Sequence, residues 1–152
     1  MYGNYPQTVK EILDSTKKYD ERVIAALYEL RRSHAWRGTI QERFQKFLKL
    51  HSKLNEIYNK STKLEANIIE ENSDSGSSSW DMFNDTITLR GKLSVVTYLH
   101  EYAHALFGTD ERKAVEWSVN LFKQVFLRSF ERAGRKGHML VKVNSYQREQ
   151  TL

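Results

Sequence analysis

The residues best suited to chemistry lie in one short stretch, His100-Glu101-Tyr102-Ala103-His104, which has the pattern HExxH. On an α-helix, side chains four positions apart lie one turn above each other on the same face. Two imidazoles placed in this way can bind one metal ion, at about 2 Å from each nitrogen. Glu101 lies beside that face, where its carboxylate can reach a water molecule near the metal. The pattern predicts His100 and His104 as zinc ligands and Glu101 as general base.

The composition restricts the ligands that such a site could use. The chain has 152 residues, five histidines and no cysteine, so disulfides and thiolate zinc sites are excluded. Any metal ion must be bound by His, Asp or Glu, and this ligand set is typical of open hydrolytic sites. The alternative is a helix in which the two histidines are only partly buried structural residues.

A third ligand is expected from the helix that follows Gly108. With Ala114 at zero and about 100° per residue, Glu111 falls at about 60°, near the apolar face, and Glu116 at about 200°, on the solvent side. Asp110 also points inward, but it is shorter and lies at the helix start. An acidic side chain on an apolar face is costly unless it is paired or metal-bound. Glu111 is therefore predicted to be the third ligand; the alternative is a carboxylate favoured by the helix dipole.

The surrounding chain must position these side chains, and its length fits one domain of residues 1–152. Its patterns predict an α+β fold in three parts. These parts are a helical hairpin over residues 8–60, a small sheet with the metal-binding helices over 64–143, and a tail over 144–152. The capping boxes that begin the hairpin helices are Thr8–Glu11 and Thr39–Glu42, and the turn is expected at residues 34–38.

A small, mostly antiparallel sheet is expected before the HExxH helix. Residues 64–70 could form one strand, and residues 80–83 and 86–89 flank Asn84-Asp85 as a hairpin would. The HExxH helix is predicted over Lys92–Phe107. It is expected to end at Gly108, and Thr109 is expected to cap the next helix.

The metal-ligand pattern resembles that of a known class of enzymes. His100–His104, followed by Glu111-Arg112-Lys113-Ala114 on the next helix, resembles the gluzincin pattern of HExxH with a downstream E-x-x-A. The short span between the two is similar to minigluzincins and to small metallopeptidases related to those that cleave phage repressors. The resemblance covers roughly residues 86–127. Val115 stands where many gluzincins have an acidic residue that orients a histidine, so Asp110 or a backbone carbonyl is expected to do this.

This resemblance implies a zincin-like α+β fold, Zn²⁺ as cofactor and a peptide or protein substrate. It also implies that an edge strand, here residues 86–89, pairs with the extended substrate. Peptide hydrolysis would use a zinc-activated water, with Glu101 as general base. A further donor should stabilise the oxyanion, and the candidates are His138 and Tyr98. His34 and His51 are expected on the surface of the helical hairpin.

Two other function classes are consistent with the sequence. The formal charge is +5, and the C-terminal region is basic, so it could bind nucleic acid or a partner (Arg128, Arg132, Arg135, Lys136, Lys142, Arg148). It has no recognition motif, and a solvated tail is therefore favoured. A zincin-like scaffold without activity is the other class. No apolar run is long enough to span a membrane, and no secretory signal is visible, so a cytoplasmic location is expected. The oligomeric state is not predicted.

Overall fold

The computed structural model describes residues 17–68 and 78–135, and these form five helices and a three-stranded sheet. The α+β class is therefore confirmed. In chain order the elements are α1 (Glu21–Arg32), α2 (Ile40–Tyr58), β1 (Lys63–Asn67), β2 (Ser79–Asp81), β3 (Thr86–Arg90), α3 (Val95–Phe107), α4 (Glu111–Val125) and α5 (Leu127–Arg135). None of the helices in these two ranges is long and apolar enough to cross a membrane.

Helices α1 and α2 form the predicted hairpin, with the turn between Arg32 and Ile40. The second capping box is confirmed: Thr39 Oγ1 accepts from the Glu42 amide at 3.1 Å, and Glu42 Oε1 accepts from the Thr39 amide at 2.9 Å. The first capping box, at residues 8–11, lies outside the described residues. Asp20 caps α1 through the amide of Arg22. Both helices of the hairpin therefore begin at a side chain that satisfies an exposed amide.

The sheet has the order β1-β3-β2, so β3 is its central strand. Strand β1 runs parallel to β3 over five paired residues, and β2 runs antiparallel to β3 over three. The prediction of a mostly antiparallel sheet is wrong, and so is the edge position expected for residues 86–89. The alternation of polar and apolar side chains in β3 indicates that one face of the strand is buried, and the buried side chains on this face are Ile87 and Leu89. It carries no information on which strands flank β3.

The core lies where α3 and α4 pack against each other, with β3 and the hairpin around them. Helix α3 begins at Val95, because Ser94 accepts from the Thr97 amide as its N-cap. Asp110, and not the predicted Thr109, caps α4 by accepting from the Lys113 amide at 3.1 Å. This correction makes Glu111 the first residue of α4, directly after the turn that follows the HExxH helix.

Candidate metal centre

Three predicted ligands lie together where α3 ends and α4 begins. His100 Nε2 is 2.5 Å from Glu111 Oε1, and His104 Nε2 is 3.3 Å from Glu111 Oε2. One ligand atom from each residue lies within 4.8 Å of the other two. His100 and Glu111 are buried and His104 is partly buried. The structure thus brings together the two imidazoles and the carboxylate that the spacing and the helical-face argument selected.

A short turn at Gly108 produces this convergence. Gly108 has a φ of +71°, a left-handed conformation that L side chains rarely adopt. Its amide donates to the His104 carbonyl at 2.8 Å and ends α3. Its own carbonyl accepts from His104 Nδ1 at 2.7 Å. A backbone carbonyl therefore orients this imidazole, one of the two sources expected, while Asp110 serves as the helix cap.

The hydrogen bond to Gly108 has a chemical consequence for His104. A carbonyl oxygen only accepts, so Nδ1 carries the proton, and in the neutral ring Nε2 is left with a lone pair. That lone pair faces a carboxylate, and two acceptors repel each other unless a cation lies between them. Either a proton or a metal ion can provide the positive charge. Two imidazole nitrogens and one carboxylate are a ligand set that zinc accepts in catalytic sites.

The pKa values reflect the same juxtaposition. Burial opposes the charged form of Glu111, but contact with the two imidazoles outweighs it and lowers the pKa to about 2. Burial likewise lowers the pKa of His104, and it is outweighed by hydrogen bonds to Glu111 and Gly108 and by the charges of Glu111 and Glu101. The net result is a raised pKa for His104. Without metal, the centre is therefore an anionic carboxylate that attracts positive charge.

His100 differs from His104 in its surroundings. Its Nδ1 is buried and has no hydrogen-bond partner among residues 17–68 and 78–135. Its ring instead packs edge-on against that of His104, with centroids 4.9 Å apart. Packing and the contact of Nε2 with Glu111 therefore orient His100, whereas His104 also has a hydrogen bond from Nδ1 to a backbone carbonyl.

Glu101, the predicted general base, is also buried, with 4% of its surface exposed. It follows His100 directly on α3, and its charge helps to raise the pKa of His104. Glu116, which the same helical-face argument placed on the solvent side, forms an ion pair with Lys17 at the surface. The other predicted catalytic residue, His138, lies outside the described residues.

Tyr98 is not available as an oxyanion donor, and this prediction is wrong. The side chain is 0% exposed, and its hydroxyl lies 2.7 Å from Nδ1 of His51. Tyr98 is two residues before His100, or about 200° around the helix, so it faces away from the metal ligands. Its hydroxyl points into the interface with α2 instead.

His51 is likewise buried, at 6% exposure, so the expected surface position is wrong; His34 is exposed as expected. The Nε2 atom of His51 donates to the Thr62 carbonyl at 2.6 Å, and Nδ1 must therefore accept from the Tyr98 hydroxyl. Burial lowers the pKa of His51, because it disfavours the charged ring by more than the bond to the Thr62 carbonyl favours it.

Sequence reasoning missed the polar cluster to which His51 belongs. It is called here the Thr62 cluster, and its members are His51, Asn55, Thr62, Tyr98 and Tyr102. Asn55 Nδ2 donates to the Thr62 carbonyl at 2.9 Å, and Asn55 Oδ1 accepts from the Tyr102 hydroxyl at 2.9 Å. Two tyrosines of α3 are thus linked through two side chains of α2 to one backbone carbonyl. The spacing of His51 and Asn55, four residues apart on a helix, is the signal that could have revealed it.

The basic C-terminal region is described only in part. Arg128 and Arg132 are exposed on α5, while Lys136, Lys142 and Arg148 lie outside the described residues. The expected nucleic-acid contact therefore stays a prediction.

Comparisons of this chain with family models, with curated proteins and with solved structures find no match. The similarity to gluzincins therefore rests on the motif and its spacing.

Proposed function

We propose that this protein is a zinc-dependent metallopeptidase, similar to gluzincins, that hydrolyses peptide bonds in a peptide or protein substrate. The observation that carries the proposal is the convergence of His100, His104 and Glu111 within 4.8 Å. Three protein ligands leave one position of a tetrahedral ion open, which is the arrangement of catalytic rather than structural zinc. The hydrogen bond from His104 to Gly108 supports the ligand role, since it directs Nε2 at the proposed metal.

The proposed chemistry divides between the ion and the chain. Zinc, when bound by these residues, would supply a Lewis acid that acidifies water and polarises a carbonyl group. Glu101 accepts the proton of the attacking water and passes it to the departing amine. Glu111 balances positive charge in the buried site, and the Gly108 carbonyl holds His104 in the tautomer that a metal ligand needs.

The proposed substrate contact moves to another strand, because β3 is central. Of the two outer strands, β2 packs against α3, the helix that carries the HExxH motif. We assign the substrate-pairing role to the outer edge of β2, Ser79–Asp81, which pairs with no further strand among residues 17–68 and 78–135. An extended peptide there would hydrogen-bond to the strand backbone.

The metal part of the proposal is tested by measuring zinc in purified protein. Wild type should contain about one zinc per chain, and His100→Ala or His104→Ala should lose it, because two protein ligands do not hold zinc firmly. His34→Ala is the matched control, since His34 is exposed and far from the cluster in sequence, and it should retain the metal. Full occupancy in the His100→Ala/His104→Ala double variant would rule out the site.

The catalytic part is tested with Glu101→Gln. This variant keeps the size of the side chain, so it should bind zinc as wild type does while losing hydrolysis of a casein or peptide-library substrate. Equal turnover by the two proteins would remove Glu101 as the base. A wild type that binds zinc but cleaves nothing faster than Glu101→Gln would identify the inactive zincin-like scaffold instead.

A further inference from the structure

A groove between α1 and α2, away from the metal ligands, is a second feature with the character of a binding site. It has a volume of about 270 Å³. Three apolar side chains line it, Ala26 and Leu30 from α1 and Leu50 from α2. Three lysines of α2 also line it: Lys46, Lys49 and Lys53. It is called here the hairpin groove.

The hairpin segment that contains the groove carries much of the positive charge of the chain. Residues 29–53 contain seven Lys or Arg and two Glu, a formal charge of +5, which is the formal charge of the whole chain. The residues outside this segment therefore sum to zero. The proposed metal ligands lie outside the segment, and its positive charge favours an anionic partner at the hairpin.

The three lysines are held in different ways. Lys46 Nζ donates to the carbonyls of His34 and Arg37, at 3.0 and 3.2 Å, and this fixes its ammonium group at the turn end of the groove. Lys53 pairs with Glu29, an acidic residue that also lines the groove. Lys49 lies between them and is exposed. Ammonium groups therefore lie along the length of the groove, and those of Lys46 and Lys53 are held by contacts within the protein.

We propose that the hairpin groove binds an acidic peptide segment of a partner protein, with an apolar side chain of that segment inserted between α1 and α2. The apolar lining and the lysines together match a segment that carries leucine or phenylalanine among Asp and Glu. The volume lies just below the usual range of small-molecule sites, about 300–1,000 Å³, and suits one or two anchoring side chains. A nucleic acid would gain nothing from the apolar lining, and within the part of the chain that the structure describes no aromatic ring lines the groove for a base to stack on.

This inference does not rest on the metal site, and the test keeps the two separate. A short fluorescent peptide with glutamates around two leucines is titrated into the full chain, and its anisotropy is recorded. Two control peptides replace the leucines by serine or the glutamates by lysine. The acidic amphipathic peptide should bind best, and His100→Ala/His104→Ala protein should bind it as wild type does.

Lys49→Glu tests the location of binding, with Lys63→Glu as the matched control. Lys63 is exposed on β1, so its reversal changes the net charge equally at another place. Lys49→Glu should weaken binding about tenfold, since reversal exchanges an attraction for a repulsion, whereas Lys63→Glu should change it by less than about threefold. Lys49→Ala, which adds no repulsion, should give an intermediate loss and serves if the reversal impairs folding.

Three results would overturn the inference. The first is equal weakening by Lys49→Glu and Lys63→Glu, which would mean only general charge attraction. The second is binding that survives replacement of both leucines by serine. The third is a single-stranded oligonucleotide of equal charge that binds more tightly than the peptide and is sensitive to Lys49→Glu, which would assign the groove to nucleic acid.

Discussion

Replacing Tyr98 by phenylalanine removes one hydroxyl group from the protein interior and leaves the ring in place. The hydroxyl is fully buried and is the partner of His51 Nδ1 at 2.7 Å. The ring packs edge-on against Phe47 and His51, and these contacts persist in the variant. The substitution therefore isolates one buried hydrogen bond between α2 and α3.

The expected cost follows from what is left behind. His51 Nδ1 would lose its donor in a place that water does not reach, and an unsatisfied buried polar group costs about 1–3 kcal/mol. For a chain of this size each kcal/mol lowers the melting temperature by about 2–4 °C, so the variant should melt about 2–12 °C lower. The free energy of unfolding is measured by urea titration, followed by circular dichroism. Tyr28→Phe, at a half-buried ring on α1, is the control and should stay within about 0.5 kcal/mol of wild type.

A double-mutant cycle tests the cause of the loss. His51→Leu removes the orphaned nitrogen, while the Thr62 carbonyl keeps the bond from Asn55 at 2.9 Å. The combined Tyr98→Phe/His51→Leu variant should therefore be about 1 kcal/mol more stable than the sum of the single changes predicts. A Tyr98→Phe variant as stable as wild type, with additive effects in the cycle, would refute the hydrogen-bonded role of His51.

Three further predictions concern pH, the turn and the metal. The pKa of His51 is lowered by burial, so unfolding exposes a ring that binds a proton more readily; stability should be complete above about pH 6.5 and decrease as the pH falls through the lowered value. His51→Leu should flatten that part of the pH–stability profile. Gly108→Ala should cost about 1 kcal/mol or more, because φ is +71° there, and should weaken zinc binding by displacing the carbonyl that orients His104; competition titration with a chelating dye measures this. Zinc at 100 times its Kd should raise the free energy of unfolding by about 2.7 kcal/mol, and thermal melts with zinc and with excess chelator should differ in wild type but coincide in His104→Ala.

The parts of the centre that the sequence predicts are those that depend on local geometry. His100 and His104 need only the rise and rotation of one helix to face the same way. Glu111 follows from the rotation of the next helix, where Ala114 and Val125 of the assigned face are buried, together with Val119 and Asn120 outside that face. The same geometry would also have placed His51 correctly. It lies four residues after Phe47 and three before Leu54, both fully buried, so it belongs to the apolar stripe of α2.

The parts that the sequence does not predict depend on contacts between distant segments. Strand β1 pairs with β3 across more than twenty residues of chain, and no local pattern in either strand indicates the order of the strands in the sheet or the direction of their pairing. The same holds for the hydrogen bond that joins Asn55 to Tyr102 across 47 positions. The prediction of the N-cap of α4 was wrong for a more local reason. Thr109 and Asp110 are both good N-cap residues, and which of them caps the helix depends on how Gly108 turns the chain.

The Thr62 cluster explains how a helical hairpin outside the gluzincin resemblance can serve the proposed metal centre. Along α3 the side chains alternate, with Tyr98 and Tyr102 directed at α2 and His100 and His104 directed at Glu111. Two bonds one helical turn apart restrain the rotation of α3 about its axis, beside its packing against α4. Because the rotation of α3 affects how the imidazoles face a carboxylate on another helix, we expect these bonds to help position ligands that they do not touch.

Zinc affinity should therefore depend on the hydrogen bonds of Tyr98 and Tyr102 more than on the overall stability of the fold. Tyr98→Phe and Tyr102→Phe together should weaken zinc binding, measured by dye competition at a temperature where every variant is folded. Thr39→Ala is the control for a general loss of stability, because loss of a helix cap costs about 1 kcal/mol, near the low end expected for Tyr98→Phe alone, at the start of α2 and away from α3. If all variants bind zinc equally, or if Thr39→Ala weakens binding as much as the tyrosine pair does, the hairpin stabilises the fold without positioning the ligands.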